Sequence, residues 1–174
     1  PEAGFEPRAI HAGAHPDPAT GARNTPIFQT TSYVFDDADH AADLFNLQTF
    51  GFIYSRLTNP TVAVLEERLA NLEGGRAAVC AASGHAAQVL TFFTLLGPGD
   101  EFVASRNLYG GSITQFGISF EKLGWKCHFV DPTDPENFAA AITPKTKAIF
   151  LEVLANPGGI VVDLEAVAAI AKDA

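Results

Sequence analysis

Apolar and polar positions follow two different rhythms along this chain, and the change falls near Ala77. Before it, helical spacing appears in two stretches. Ala38, Ala41, Ala42 and Phe45 mark a helix over Asp36 to about Leu47, with Asp36 or Asp37 as its cap. Val62, Leu65, Leu69 and Leu72 mark another, which opens at Pro60, a good first-turn residue, and stops at Gly74-Gly75. Phe5–Ser32 has no sustained period and holds Gly13, Pro16, Pro18, Gly21 and Pro26. It reads as an extended arm over a surface or a partner subunit. Phe50–Asn59 is a second irregular piece.

From Ala77 onward short apolar runs alternate with helical ones. Strands are predicted at Ala77–Ala81, Glu101–Ser105, Lys126–Val130 and Thr146–Glu152, and helices at His85–Leu96, Gly111–Leu123, Pro135–Ile142 and Asp163–Lys172. Gly97-Pro98-Gly99, Gly124, Pro132 and Asn156-Pro157-Gly158-Gly159 punctuate the changes. Such alternation calls for an α/β fold with a mainly parallel sheet covered on both faces. The expected division is 1–59 for arm, helix and subunit contacts, and 60–174 for the sheet domain. The sequence stops at Ala174 on a helix with no strand after it, which predicts a truncated domain.

In parallel sheets ligands bind beyond the carboxyl ends of the strands. Ser83-Gly84-His85, Asn107–Gly110 and Asn156-Pro157 all fall there. The first of these is strand, small-residue turn, helix, an arrangement that leaves free backbone N–H groups at a helix start and favours an anion. Gly84 has no Cβ to keep a phosphate away. Taken alone, the same stretch also fits an ordinary strand-to-helix turn.

Composition narrows the picture. With 174 residues, 47% of them hydrophobic, the chain can bury a core as a single domain. A formal net charge of −9 argues against nucleic acid or an anionic membrane as partner. No apolar run approaches the roughly 20 residues of a membrane span. The N-terminal residues Pro1–Gly4 lack the basic and apolar regions of a secretory signal. Cys80 and Cys127 lie in apolar runs without metal-ligand spacing and read as small buried hydrophobes, so a reducing, cytoplasmic setting is expected. His11, His15, His40 and His128 show no ligand spacing and no nearby partner, and carry no catalytic role. Asp36, Asp37 and Asp39 read as a capped, solvated helix start rather than a metal site.

The punctuating motifs, taken together, resemble one family. Tyr54-Ser55-Arg56-Leu57-Thr58-Asn59-Pro60-Thr61, Ser83-Gly84-His85-Ala86-Ala87, Leu108-Tyr109-Gly110-Gly111, and Glu152 with Asn156-Pro157 are similar to those of the Cys/Met-metabolism enzymes dependent on pyridoxal 5'-phosphate. Ala9–Gly13, Pro16–Arg23, Gln29–Tyr33 and Asp36–Ala42 resemble the O-acetylhomoserine sulfhydrylase branch of that family. The resemblance runs in order along essentially the whole chain. It implies a type I, aspartate aminotransferase-like fold, of which this chain holds the N-terminal arm and part of the large domain. The implied reaction is γ-replacement: O-acetyl-L-homoserine and sulfide give L-homocysteine and acetate. Alternatives are cystathionine γ-synthase, methionine γ-lyase, or a catalytically inert N-terminal fragment. Methionine γ-lyases often carry cysteine where this chain has Gly111.

By resemblance, the N–H groups of Gly84 and His85 grip the cofactor phosphate, and Tyr109 stacks on its ring and handles protons. Asn156 bonds the ring hydroxyl. Tyr54 and Arg56 reach the phosphate of a neighbouring subunit, a task that suits the planar guanidinium fork, and the resemblance places Tyr54 beside Tyr109 among the catalytic residues. A homo-oligomer, as a dimer of dimers with shared sites, follows. Two departures stand out. Val153 replaces a serine common in the family. The lysine that condenses with the cofactor and the aspartate facing its ring nitrogen are not found, because Lys122, Lys126, Lys145, Lys147 and Lys172 stand in no matching motif.

Overall fold

The computed structural model describes residues 4–174, which fall into two compact units, Pro1–Cys80 and Ala81–Ala174. In the first unit, α1 (Phe5–His11) occupies the start of the segment expected to be extended. Seven residues are too few to display an apolar period. The helix is favoured instead by Glu6 in its first turn and by Arg8 and His11 in its last, each placed to suit the helix dipole. It packs on α3 (Pro60–Glu73): an Arg8 guanidinium nitrogen donates to the Asn71 carbonyl at 2.9 Å, and Arg68 Nε donates to the Ala12 carbonyl at 3.0 Å. Gly13 takes φ +72° so close to α3 that a Cβ there would lie 2.8 Å from the Val64 carbonyl. Between them, α2 (Ala38–Phe45) is capped by Asp37, whose carboxylate accepts from the His40 N–H at 2.7 Å.

The second unit carries a three-stranded sheet, β1 (Glu101–Ser105), β2 (Lys126–Val130) and β3 (Thr146–Phe150), in the order β2-β1-β3 and parallel throughout. Helices α5 (Gly110–Thr114) and α6 (Glu136–Ala141) lie in the β1–β2 and β2–β3 connections, while α4 (Gly84–Leu95) precedes β1 and α7 (Leu164–Asp173) follows β3. The central strand reads out the alternation of a sheet covered on both sides. Phe102 and Ala104 point into a cluster with Phe92, Phe116, Phe120 and Trp125, while Val103 joins Phe138, Val162 and Val167. Burial of β1 is complete from Phe102 to Ser105.

Three expectations are corrected. Ala77–Ala81 forms no ladder among the described residues and leaves Val79 81% exposed. An apolar run becomes a strand only where a partner supplies hydrogen bonds. The single helix expected over Gly111–Leu123 is a relay: α5, a wider π-turn over Gln115–Ser119, then a 3₁₀ turn at Glu121–Leu123. Gly117 weakens the α-ladder there, and the Phe120 N–H reaches back five residues to the Gln115 carbonyl.

The third correction concerns His40 and His128. His40 Nδ1 lies 3.4 Å from an Asp36 carboxylate oxygen. His128 Nε2 lies 2.9 Å from Glu101 Oε2, which also accepts from the Thr143 hydroxyl at 2.9 Å. The His128 and Thr143 hydrogen bonds, in that order, hold the Glu101 carboxyl below its ordinary value of 4.5. The two cysteines are free and half-buried, and burial pushes the Cys127 thiol up to about 12.

A carboxylate with a depressed folded-state pKa stabilises above its unfolded value, and that contribution is lost as pH falls through the folded value. Urea midpoints measured from pH 7 down to pH 3 are therefore expected to fall less steeply below about pH 4.5 for Glu101→Gln than for the parent. Identical slopes would show that the carboxylate contributes nothing to acid sensitivity.

Candidate functional site

The carboxyl ends of β1 and β3 and the start of α4 each contribute to one site in the second unit. Ser83 caps α4: its hydroxyl accepts from the Ala86 N–H at 3.1 Å, and its carbonyl from the Ala87 N–H at 3.0 Å. The N–H groups of Gly84 and His85 are left without an acceptor among the described residues. A Cβ on Gly84 would meet nothing within 4 Å, so no described side chain or backbone crowds that residue. Twelve residues of α4 align their dipole on that spot.

Beside it, the rings of His85 and Tyr109 lie 5.8 Å apart, inclined by 33°. Gly111 makes their approach feasible. A Cβ there would stand 2.5 Å from His85 Cε1 and 2.6 Å from Tyr109 Cε1. Gln115 donates through its amide to the His85 carbonyl at 3.2 Å. Gln88 donates to the buried Ser112 hydroxyl at 2.9 Å. The side-chain oxygens of both glutamines are buried with no partner among the described residues. Tyr109 keeps half its surface exposed.

Tyr109 is held from the other side by β3's loop. Its N–H donates to Glu152 Oε1 at 2.9 Å, and Glu152 Oε2 accepts from the Asn156 N–H at 3.1 Å. Gly84, His85, Tyr109 and Asn156 all lie in the second unit, although no strand precedes Gly84 among the described residues as the sequence had implied. The side-chain amide of Asn156 makes no hydrogen bond among the described residues.

Tyr54 and Arg56 lie together in the first unit, with the Arg56 guanidinium 5.4 Å from the centre of the Tyr54 ring. Arg56 makes no ion pair among the described residues. The segment around them is tied down by its neighbours. Asn59, 8% exposed, caps α3 and donates to the Phe28 carbonyl at 2.9 Å and the Ser55 hydroxyl at 3.0 Å. The Ser55 hydroxyl and N–H in turn donate to the carbonyls of Thr30 and Thr31.

Bare helix-start donors, an uncrowded glycine and an exposed tyrosine face suit a planar aromatic group that carries a phosphate. Residues 6–174 match the family model of the Cys/Met metabolism PLP-dependent enzymes, where PLP is pyridoxal 5'-phosphate. The chain belongs to this family. It is 52% identical over 171 residues to an O-acetyl-L-homoserine sulfhydrylase of Leptospira meyeri, a match covering 97% of this chain and 39% of that protein. A crystal structure described as an O-acetylhomoserine (thiol)-lyase from Campylobacter jejuni holds N'-pyridoxyl-lysine-5'-monophosphate. It aligns with a TM-score of 0.91 and 38% identity over 99% of this chain and 42% of its own. Cystathionine gamma-lyase from Lactobacillus plantarum, complexed with L-serine, aligns at 0.85 with 33% identity, over 98% and 42%. The fold is that of the type I PLP-dependent enzymes. The chain spans about two fifths of the length of these relatives.

Glu152 stands in one of the family motifs without a task implied by it, and neither glutamine stands in any of them. A carboxylate four residues before Asn156, at a strand's carboxyl end, was the available signal for the first. Nothing in the sequence pattern marks Gln88 or Gln115.

Gly111→Ala is expected to force the His85 and Tyr109 rings apart at a small cost, about 0.5 kcal/mol or less, because a Cβ would meet only the outer ends of two exposed side chains. Urea unfolding measures the cost, and a structure of the variant shows the displacement. Rings left in place with unchanged stability would mean that the hollow over Gly111 is not required.

Proposed function

We propose that the whole protein carrying this chain replaces the γ-acetoxy group of O-acetyl-L-homoserine by sulfide, giving L-homocysteine and acetate in methionine and cysteine biosynthesis. The observation that carries this reading is the pair of N–H groups of Gly84 and His85 with no acceptor among the described residues, on the helix start whose His85 ring neighbours the exposed Tyr109 ring. A sulfhydrylase among the relatives narrows the substrate.

The residues present fit pyridoxal phosphate. Gly84 and His85 bind its phosphate through backbone N–H groups. Tyr109 lies against its ring, and the phenol holds or passes a proton between substrate atoms. Asn156 orients the ring by donating its free amide to the ring hydroxyl. Bound there, the cofactor supplies the electron sink that makes bonds at an amino acid's α-carbon labile. This chain's share is orientation, exclusion of water and proton handling.

In the same reading 1–59 serves subunit contacts and 60–174 begins the cofactor domain. The enzyme is a homo-oligomer, a dimer of dimers, and works in the cytoplasm, which agrees with two unpaired cysteines. Arg56 and Tyr54 serve the cofactor phosphate of the neighbouring subunit. An arginine with no acidic partner among the described residues, in a unit that exposes Val34, Leu47 and Phe50 to solvent, supports that assignment.

Homocysteine released from O-acetyl-L-homoserine and sulfide by the purified whole protein, followed by mass spectrometry, tests the reaction. Faster cystathionine formation with cysteine, or methanethiol release from methionine, would move the assignment to another γ-family enzyme. Arg56→Ala is expected to weaken cofactor binding by roughly 10- to 150-fold, since a charge-assisted contact contributes about 1.5–3 kcal/mol. Equilibrium dialysis measures it. Mixing that variant with one lacking the family's cofactor lysine should restore activity through hybrid sites. Exchange of subunits without recovery would confine Arg56 to its own subunit.

A further inference from the structure

We propose that Glu152 is a positioning residue: its carboxylate fixes the aim of Tyr109 and Asn156 by holding the backbone N–H of each. The proposal rests on the reading of those two as cofactor contacts. Glu152 follows β3, which ends at Phe150, and is half-buried. One oxygen takes the Tyr109 N–H at 2.9 Å across 43 positions of sequence, and the other takes the Asn156 N–H at 3.1 Å. No other side chain joins the loop after β1 to the loop after β3 among the described hydrogen bonds. Ionised acceptors make shorter, stronger bonds than neutral ones, so the two loops are drawn to a single anchor.

The Tyr109 carbonyl already accepts from the Ser112 and Ile113 N–H groups, and the turn around Asn156 is closed by the Ala155 N–H on the Ile160 carbonyl. Glu152 is the group that ties these two separate pieces to each other. The Tyr109 phenol and the Asn156 amide have no hydrogen-bond partner of their own among the described residues, and the one aromatic neighbour given for the Tyr109 ring is His85. Their side-chain directions therefore follow their backbones. Both oxygens of Glu152 are engaged by amide donors, which suits a brace and not a proton carrier. Glutamine cannot replace it, because the amide keeps one acceptor and turns an NH₂ toward the second N–H. Aspartate keeps both acceptors but is one methylene too short to span them.

The test uses the whole protein with pyridoxal 5'-phosphate and the variants Glu152→Gln and Glu152→Asp. The readouts are the circular dichroism that the bound cofactor acquires in its visible band, kcat against KM, and the thermal midpoint. Glu152→Gln is expected to halve or abolish the visible signal and lower kcat roughly tenfold or more with KM little changed, while the folded protein retains cofactor. Glu152→Asp should show the same defects in milder form. An unchanged visible signal and unchanged kcat would overturn the proposal. So would a lowered thermal midpoint with normal spectrum and turnover, or failure of both variants to fold, since each marks a purely structural role. If the parent protein itself takes up no pyridoxal phosphate, the functional reading fails and the proposal falls with it. If the parent takes it up and the variants match the parent, only the brace is wrong.

Discussion

The site depends on a stack of aromatic rings that lies beneath it. The Phe92 ring on α4 sits 4.3 Å from that of Phe102 on β1, and both neighbour Phe116, six residues beyond the start of α5 at Gly110. Phe120 and Trp125 extend the stack. Truncating one such ring typically costs about 3–5 kcal/mol, and edge-on aromatic pairs add about 0.5–1.5 kcal/mol beyond area burial. Domains have only about 5–15 kcal/mol in total, so this packing outweighs any single polar contact in the unit. It fixes α4 and the relay after Tyr109 against the same strand. The start of α4 and the Tyr109 loop are brought side by side as a consequence.

The two ends of the sheet handle their polar groups differently. At the amino end Glu101, His128 and Thr143 satisfy one another, and β1, β2 and the turn before β3 are stitched together. Toward the carboxyl end Arg106 pairs with Asp131, and Glu152 spends both oxygens on loop backbone. Among the donors left unspent by the described residues there is the pair of Gly84 and His85 N–H groups. An overall negative chain with a local cluster of free donors selects a small anion held close, which is consistent with a cofactor phosphate and not with a polyanion.

The strands of the second unit were legible because a buried parallel strand is a short apolar run, and Glu101–Ser105 and Lys126–Val130 are bounded as expected. Ala77–Ala81 has the same look without a partner strand, a property no local pattern can report. Helix α1 was illegible for the opposite reason: seven residues bearing Pro7 show no period, and it is contact with α3 that holds them. At the site, Gly84, His85, Tyr109 and Asn156 were named from motif and placement. Glu152's double bond to two loops needed coordinates, because a span of 43 residues leaves no trace in spacing. His128 was passed over because its partner Glu101 lies on the adjacent strand, 27 residues away.

The motif Tyr54–Thr61 divides its residues between two tasks. Ser55, Asn59 and Thr61 turn their polar atoms inward: Thr61 donates to the Pro26 carbonyl at 2.8 Å and accepts from the Phe28 N–H at 3.0 Å, and Asn59 joins α3 to the same strand-like segment. Those three hold 26–33 and 54–61 in one shape. Tyr54 and Arg56, alternating with them, face outward, and the guanidinium rests near a ring with no acid to neutralise it. Local stability cannot explain an unpaired arginine mounted on so well-braced a segment, because an exposed cation needs no bracing to be solvated. Bracing matters only when the charge must meet something at a fixed place. In the proposed reading that partner is a phosphate, and the rigidity of Asn59 and its neighbours is what gives Arg56 its aim.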